Sequence, residues 1–204
     1  MATRRDGEVP SRPYLQLGVS SNVTYTYDES RKEGERITSV WVNDKPIDPK
    51  GTYSVGSGSF LIAGRDNFTE LAKGSKPVDS GKINLSAWVD WIKARKTLKP
   101  DFAKRAVSLT TSLHEGTSRD TTFTLGKPAD KAVAPDTVDF TSKDAVVNTI
   151  MKAQIVQDDK TVDVATTPVK DGWSSVSVKV PTAKGLVSGE ATTVFTFPDS
   201  GTTV

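Results

Sequence analysis

The chain has 204 residues, 35% hydrophobic and 25% charged, an ordinary balance for one or two globular domains with a buried core. Its net charge of +2 gives no electrostatic case for gripping a nucleic acid polymer or an anionic membrane surface. The absence of cysteine excludes disulfides, thiol nucleophiles and thiolate metal sites together.

The amino terminus MATRRDGEVPSRP is basic and lacks the apolar run of an export signal, so a signal for an exported protein is expected outside this chain. No later segment approaches the roughly 18 consecutive apolar residues of a membrane span. Two runs then alternate apolar and polar residues, NVTYTYD at 22–28 and ITSVWVN at 37–43. They read as strands of a hairpin around the charged loop ESRKEGE. The turn chemistry of NDKP and DPKG introduces a third expected strand, TYSVGS at 52–57.

The stretch FLIAGRDNFTELAKG, residues 60–74, reads as an apolar strand end running into a tight turn at Gly64, with Asp66 midway between Phe60 and Phe68. After it, INLSAWVDWIKARKTL spaces Leu85, Trp88, Val89 and Ile92 as one face of an amphipathic helix. Asn84 is its expected cap and Trp88 an expected core residue. The single histidine, His114, stands among polar turn formers and reads as a solvated linker residue. Metal sites and catalytic triads that need histidine would rest on this one ring, and the chain is not expected to be catalytic alone.

Past residue 113 the texture turns polar and rich in Thr, Pro and Gly, and then into short alternating runs: TVDFTS, IMKAQIVQ, TVDVATTPV, WSSVSVKVP and ATTVFTF. Short Val- and Thr-rich strands bounded by turn signals predict an all-β, immunoglobulin-like sandwich. The last turn, PDSG, is followed only by TTV, so the sandwich is expected to be incomplete and the chain to be a piece of something longer. The expected fold is α+β: a mixed sheet with helices over 13–112, a linker at 113–135, and the sandwich over 136–204.

The segment PYLQLG, then VTYTYDESRKEGERITSVWVNDKPIDPKGTYSV, then SFLIAGRDNFTEL resembles the carboxy-terminal domain of the 5'-nucleotidase family. The resemblance covers residues 13–109 and rests on the ordered pair of the YTYD-(basic loop)-G-x-R hairpin and the F-L-x-x-G-x-D-x-F loop. It implies the nucleoside-binding portion of a 5'-nucleotidase or 2',3'-cyclic-nucleotide phosphodiesterase, extracellular or attached to a cell wall. In such enzymes a metallophosphatase domain holds two divalent metal ions. Nothing here matches its metal motifs, so no cofactor is expected in this chain, and its partners are a nucleoside or nucleotide substrate and that phosphatase domain.

The same resemblance places Tyr14 and Phe60 on the two faces of a base and Asp66 on the ribose hydroxyls. Aromatic faces and a carboxylate suit that ligand, because a base offers two π faces and a ribose diol offers two donors. On the residues alone, Tyr14 equally fits a cover over the sheet, Phe60 a core side chain, and Asp66 the cap of a short helix. Phe68 reads as a core anchor of the loop. Where the family has G-G-D-G this chain has G-R-D-N, with Arg65 and Asn67 in place of glycines, and Ser59 stands where the family commonly has Asn or Asp. The family's substrate-contacting arginines have no counterpart after Pro13. The alternative reading is a structural or adhesive surface module that keeps the fold without binding nucleotides.

Overall fold

The computed structural model describes residues 17–113, 120–127, 146–179, 186 and 189–204. Tyr14, His114 and the strand expected at TVDFTS lie outside the described residues. Among the described residues there are ten strands and two α-helices, and most of the regular backbone is sheet. Contacts divide the chain into two units. One contains residues 49–100 and the other 19–48 together with 101–204.

In the larger unit, β1 (Val23–Tyr27) and β2 (Ile37–Val42) form the expected antiparallel hairpin. Its charged loop is held by Asp28, which accepts hydrogen bonds from the Ser30 hydroxyl at 2.6 Å and the Ser30 backbone N–H at 3.0 Å. The Ser30 hydroxyl is the main reason the Asp28 carboxyl sits below its ordinary range. The third strand is not residues 52–57, which have no regular structure, but β3 (Lys45–Pro46), a two-residue return after Asn43 and Asp44 turn in the left-handed region. Asn and Asp tolerate that conformation better than other side chains, so the turn closes earlier than the later DPKG signal implied.

β4 (Ala106–Leu113) joins two pieces of sheet. Residues 106–108 run parallel to β1, with Tyr25 opposite Ala106, and residues 109–113 pair antiparallel with β5 (Asp120–Leu125). β5 falls inside the interval 113–135 that reads as linker. β8 (Ser174–Lys179) completes a six-stranded sheet in the order β3-β2-β1-β4-β5-β8. A second sheet orders β10 (Thr202–Thr203), β9 (Thr192–Phe197), β6 (Ile150–Gln157) and β7 (Lys160–Pro168), all antiparallel. Thus four of the five alternating runs of the carboxy-terminal part are strands as expected, and TTV supplies the short return strand.

The period of two makes the core. Met151, Ala153 and Ile155 of β6, and Val176 and Val178 of β8, are buried at alternate positions, while their neighbours along each strand are more exposed. They meet Val107, Leu125, Leu186, Phe195 and Phe197 in one apolar cluster drawn from both sheets. Phe123 and Phe195 bridge the layers as a tilted ring pair 5.0 Å apart. At one end, polar contacts tie β6 to the β9–β10 turn and link the two sheets. Asp199 accepts from the Thr149 N–H (2.7 Å) and hydroxyl (2.8 Å), and Thr202, fully buried, accepts from the Lys104 N–H at 2.9 Å.

The smaller unit holds α1 (Ser59–Ile62), two single 3₁₀ turns (Arg65–Asn67 and Leu71–Lys73) and α2 (Asn84–Arg95). α2 forms where the apolar period predicts it, but Ile83, not Asn84, occupies the cap position, and no side chain caps it. No described residue of this unit is buried. Trp88, expected in the core, is 62% exposed and meets the edge of Trp91, over which the Arg95 guanidinium lies at 4.0 Å.

Candidate functional site

Phe60 and Asp66 lie on adjoining turns of the smaller unit, α1 touching both 3₁₀ turns. The run FLIA is helical, not the end of a strand: Leu61 and Ile62 N–H groups both bond to the Gly58 carbonyl, and Ala63 to that of Ser59. Four apolar residues in a row carry no period, so sequence alone does not separate the two conformations.

The turn at Gly64 is where it was expected. Its φ of +75° ends α1 in a left-handed step, and a Cβ there would stand 3.1 Å from the Ala72 Cβ. Arg65 opens the next turn, and Asp66 and Asn67 then both adopt positive φ, +52° and +67°. A family glycine at position 67 is therefore replaced by the residue type that best bears a left-handed backbone.

Phe60 is 57% exposed, so its ring is not core. Phe68 is half-buried, and its N–H bonds to the Arg65 carbonyl at 3.2 Å, closing the loop. Asp66 is exposed and caps nothing: the short turn Leu71–Lys73 has Glu70 at its cap position, without a side-chain bond. Among the described residues the Asp66 carboxylate has no hydrogen-bond or ion-pair partner, so both oxygens are open to a diol. The structure thus brings Phe60 and Asp66 to neighbouring turns, while Tyr14 lies outside the described residues.

Among the described residues no group of three or more His, Asp or Glu side chains is placed to hold a metal ion, and no helix is long and apolar enough to cross a membrane.

Comparison with known proteins bears on this loop. Residues 3–73 match the family model of the 5'-nucleotidase C-terminal domain, a span that takes in Tyr14, Phe60 and Asp66 and ends before α2. A 5'-nucleotidase-related protein of Glossina morsitans morsitans is 35% identical over 101 residues, which is 46% of this chain and 18% of that protein. An apyrase of Tabanus yao is 28% identical over 81 residues, 36% of this chain and 15% of the apyrase. The chain thus spans less than a fifth of the length of these relatives. No solved structure matches it significantly. Over residues 3–73 the chain is therefore similar to the 5'-nucleotidase C-terminal domain.

Proposed function

We propose that this chain is the nucleoside-binding portion of an extracellular enzyme of the 5'-nucleotidase or 2',3'-cyclic-nucleotide phosphodiesterase kind. In this reading residues 13–112 hold the nucleoside, and 136–204, joined through β8 to the sheet of β1–β5, complete an immunoglobulin-like body that spaces the binding loop from a cell surface or wall. The observation that carries the reading is the loop from Phe60 to Asn67. It lies in the matched segment and presents an exposed ring and an unengaged carboxylate on adjoining turns.

The roles follow from chemistry. Tyr14 and Phe60 take the two faces of the base, each ring contributing on the order of 1–3 kcal/mol by truncation. Asp66 accepts both hydroxyl hydrogens of the ribose. Hydrolysis of the phosphate ester belongs to a separate metallophosphatase domain, whose two divalent ions would activate water. No residue of this chain is assigned to that step.

Titration of the full chain with adenosine, followed by NMR, tests the reading. Resonances of Tyr14, Phe60 and Asp66 should shift together, AMP should bind about as well as adenosine, and Phe60→Ala should weaken binding about tenfold. Asp66→Asn should bring ribo- and 2'-deoxyribonucleosides closer in affinity. Absence of any shift at these residues with millimolar adenosine would sink the proposal. It would favour a structural or adhesive surface module, a reading to which the exposed Arg65 in the loop also lends weight.

A further inference from the structure

The larger unit contains a cleft of about 660 Å³ between the β1–β2 hairpin and the β9–β10 edge, within the range of small-molecule sites. It lies where the space between the two sheets continues past the apolar core. Its deep end is apolar, with Leu109, Phe123, Phe195 and Val204. Toward β1 and β2 the same sheet face changes character. Register sets Thr24 opposite Trp41 and Thr26 opposite Ser39, so hydroxyls and one indole replace aliphatic side chains.

A bulge sharpens this. The pairing slips between Thr26 and Tyr27, leaving Thr38 as the extra residue on β2, and its hydroxyl comes to 2.6 Å from that of Thr26. The Ser39 hydroxyl is 2.7 Å from the same oxygen. Three hydroxyls bring three hydrogens, and two contacts consume two, so one donor and several lone pairs remain for a ligand. Thr26 itself is buried, 3% exposed, while Ser39 is half-buried and Thr38 exposed, so the cluster runs from the cleft's floor to its rim.

The charges are peripheral. Among the lining residues only Arg31 and Asp44 are charged, both exposed, and Arg31 is already paired with Asp28 at 3.5 Å. No carboxylate or amide lines the interior to match the fixed donor and acceptor edge of a nucleobase. Hydroxyls, which both donate and accept, match a ligand whose own groups do the same, and an indole beside them matches an apolar ring face.

We infer that this cleft binds a neutral saccharide, its ring set on Trp41 and its hydroxyls exchanging hydrogen bonds with Thr24, Thr26, Thr38 and Ser39. The site is separate from the Phe60–Asp66 loop and does not depend on it.

The test is an NMR titration of the full chain with methyl β-glucopyranoside, methyl α-mannopyranoside and methyl N-acetyl-β-glucosaminide at millimolar concentration, with adenosine as a separate arm. At least one glycoside should shift the Trp41 indole N–H and the methyl groups of Thr24, Thr26 and Leu109. Trp41→Ala should weaken binding about tenfold. Ser39→Ala removes one oxygen from a half-exposed strand position, should leave the fold intact, and should cost about fivefold. If Trp41→Ala fails to fold, the Ser39 variant decides. The inference falls if no glycoside moves these resonances, if Ser39→Ala leaves the affinity unchanged, or if adenosine alone occupies the cleft. Shifts confined to Phe60 and Asp66 bear only on the nucleoside reading.

Discussion

At Gly64 two requirements coincide, a left-handed φ of +75° and an approach of 3.1 Å between the place of a Cβ and the Ala72 side chain. Gly64→Ala should therefore destabilise the loop by roughly 1–2 kcal/mol through the backbone alone, read as faster amide exchange at Phe68 and Gly74 with little change in the melting of the sheets. Asp199 presents a different residue-scale test. The N–H and hydroxyl of Thr149 hold its carboxyl below the ordinary 3.8. A group whose folded pKa is depressed stabilises the fold above its unfolded pKa and loses that contribution as pH falls through the folded value. Melts taken below about pH 4 should fall less steeply for Asp199→Asn than for the parent chain, from a lower starting point at neutral pH. How much of the site is legible in sequence differs by residue. Gly64 is readable because turn chemistry is local. The open state of Asp66 is not, because a capping role and a ligand role use the same residue type at the same spacing.

Elements divide the same way. The alternation in NVTYTYD, ITSVWVN, IMKAQIVQ and WSSVSVKVP marks strands directly, and in the last two it matches alternate burial along the strand. β4 and β5 escape that reading. AVSLTTSL and DTTFTL are diluted with Thr and Ser, yet they occupy the middle of the six-stranded sheet, where position in the fold and not pattern decides burial. Leu125 of β5 is fully buried, and Leu125→Ala should cost about 2–5 kcal/mol in urea unfolding. Leu85 of α2 has just as clear a helical period but is 72% exposed, and Leu85→Ala should stay within about 0.5 kcal/mol. A loss at Leu85 as large as at Leu125 would show that the α2 face is covered in solution. The period announces an apolar face without saying what meets it.

Across the whole molecule the two contact units differ in how they are held. Every buried apolar residue among those described belongs to the larger unit. Residues 49–100 rest on local turns and on exposed pairs such as Lys82 with Asp90 and Arg95 over Trp91. Few buried contacts mean low local stability. Amide exchange should therefore open α2 well before β6, and protection at Asn84–Arg95 equal to that at Ile150–Gln157 would contradict this division. Family similarity runs across the boundary, since residues 3–73 take in both the hairpin and the loop. Motif order was legible because it is a property of the chain. The regrouping of 19–48 with 101–204 was not, because it depends on a parallel pairing with no local signature.

That parallel pairing also sets a schedule. Tyr25 and Ala106 are neighbours in the sheet but 81 positions apart in the chain (25 to 106). At about 5–20 residues per second, the ribosome leaves the β1–β2 hairpin waiting roughly 4 to 16 seconds for β4 to be made. A lone hairpin is marginal in water. Throughout that interval the TYTY edge has no partner strand, so the nascent chain is most open to wrong pairing before its apolar core exists. The hazard for the nascent chain therefore lies at β1, for as long as β4 is unmade.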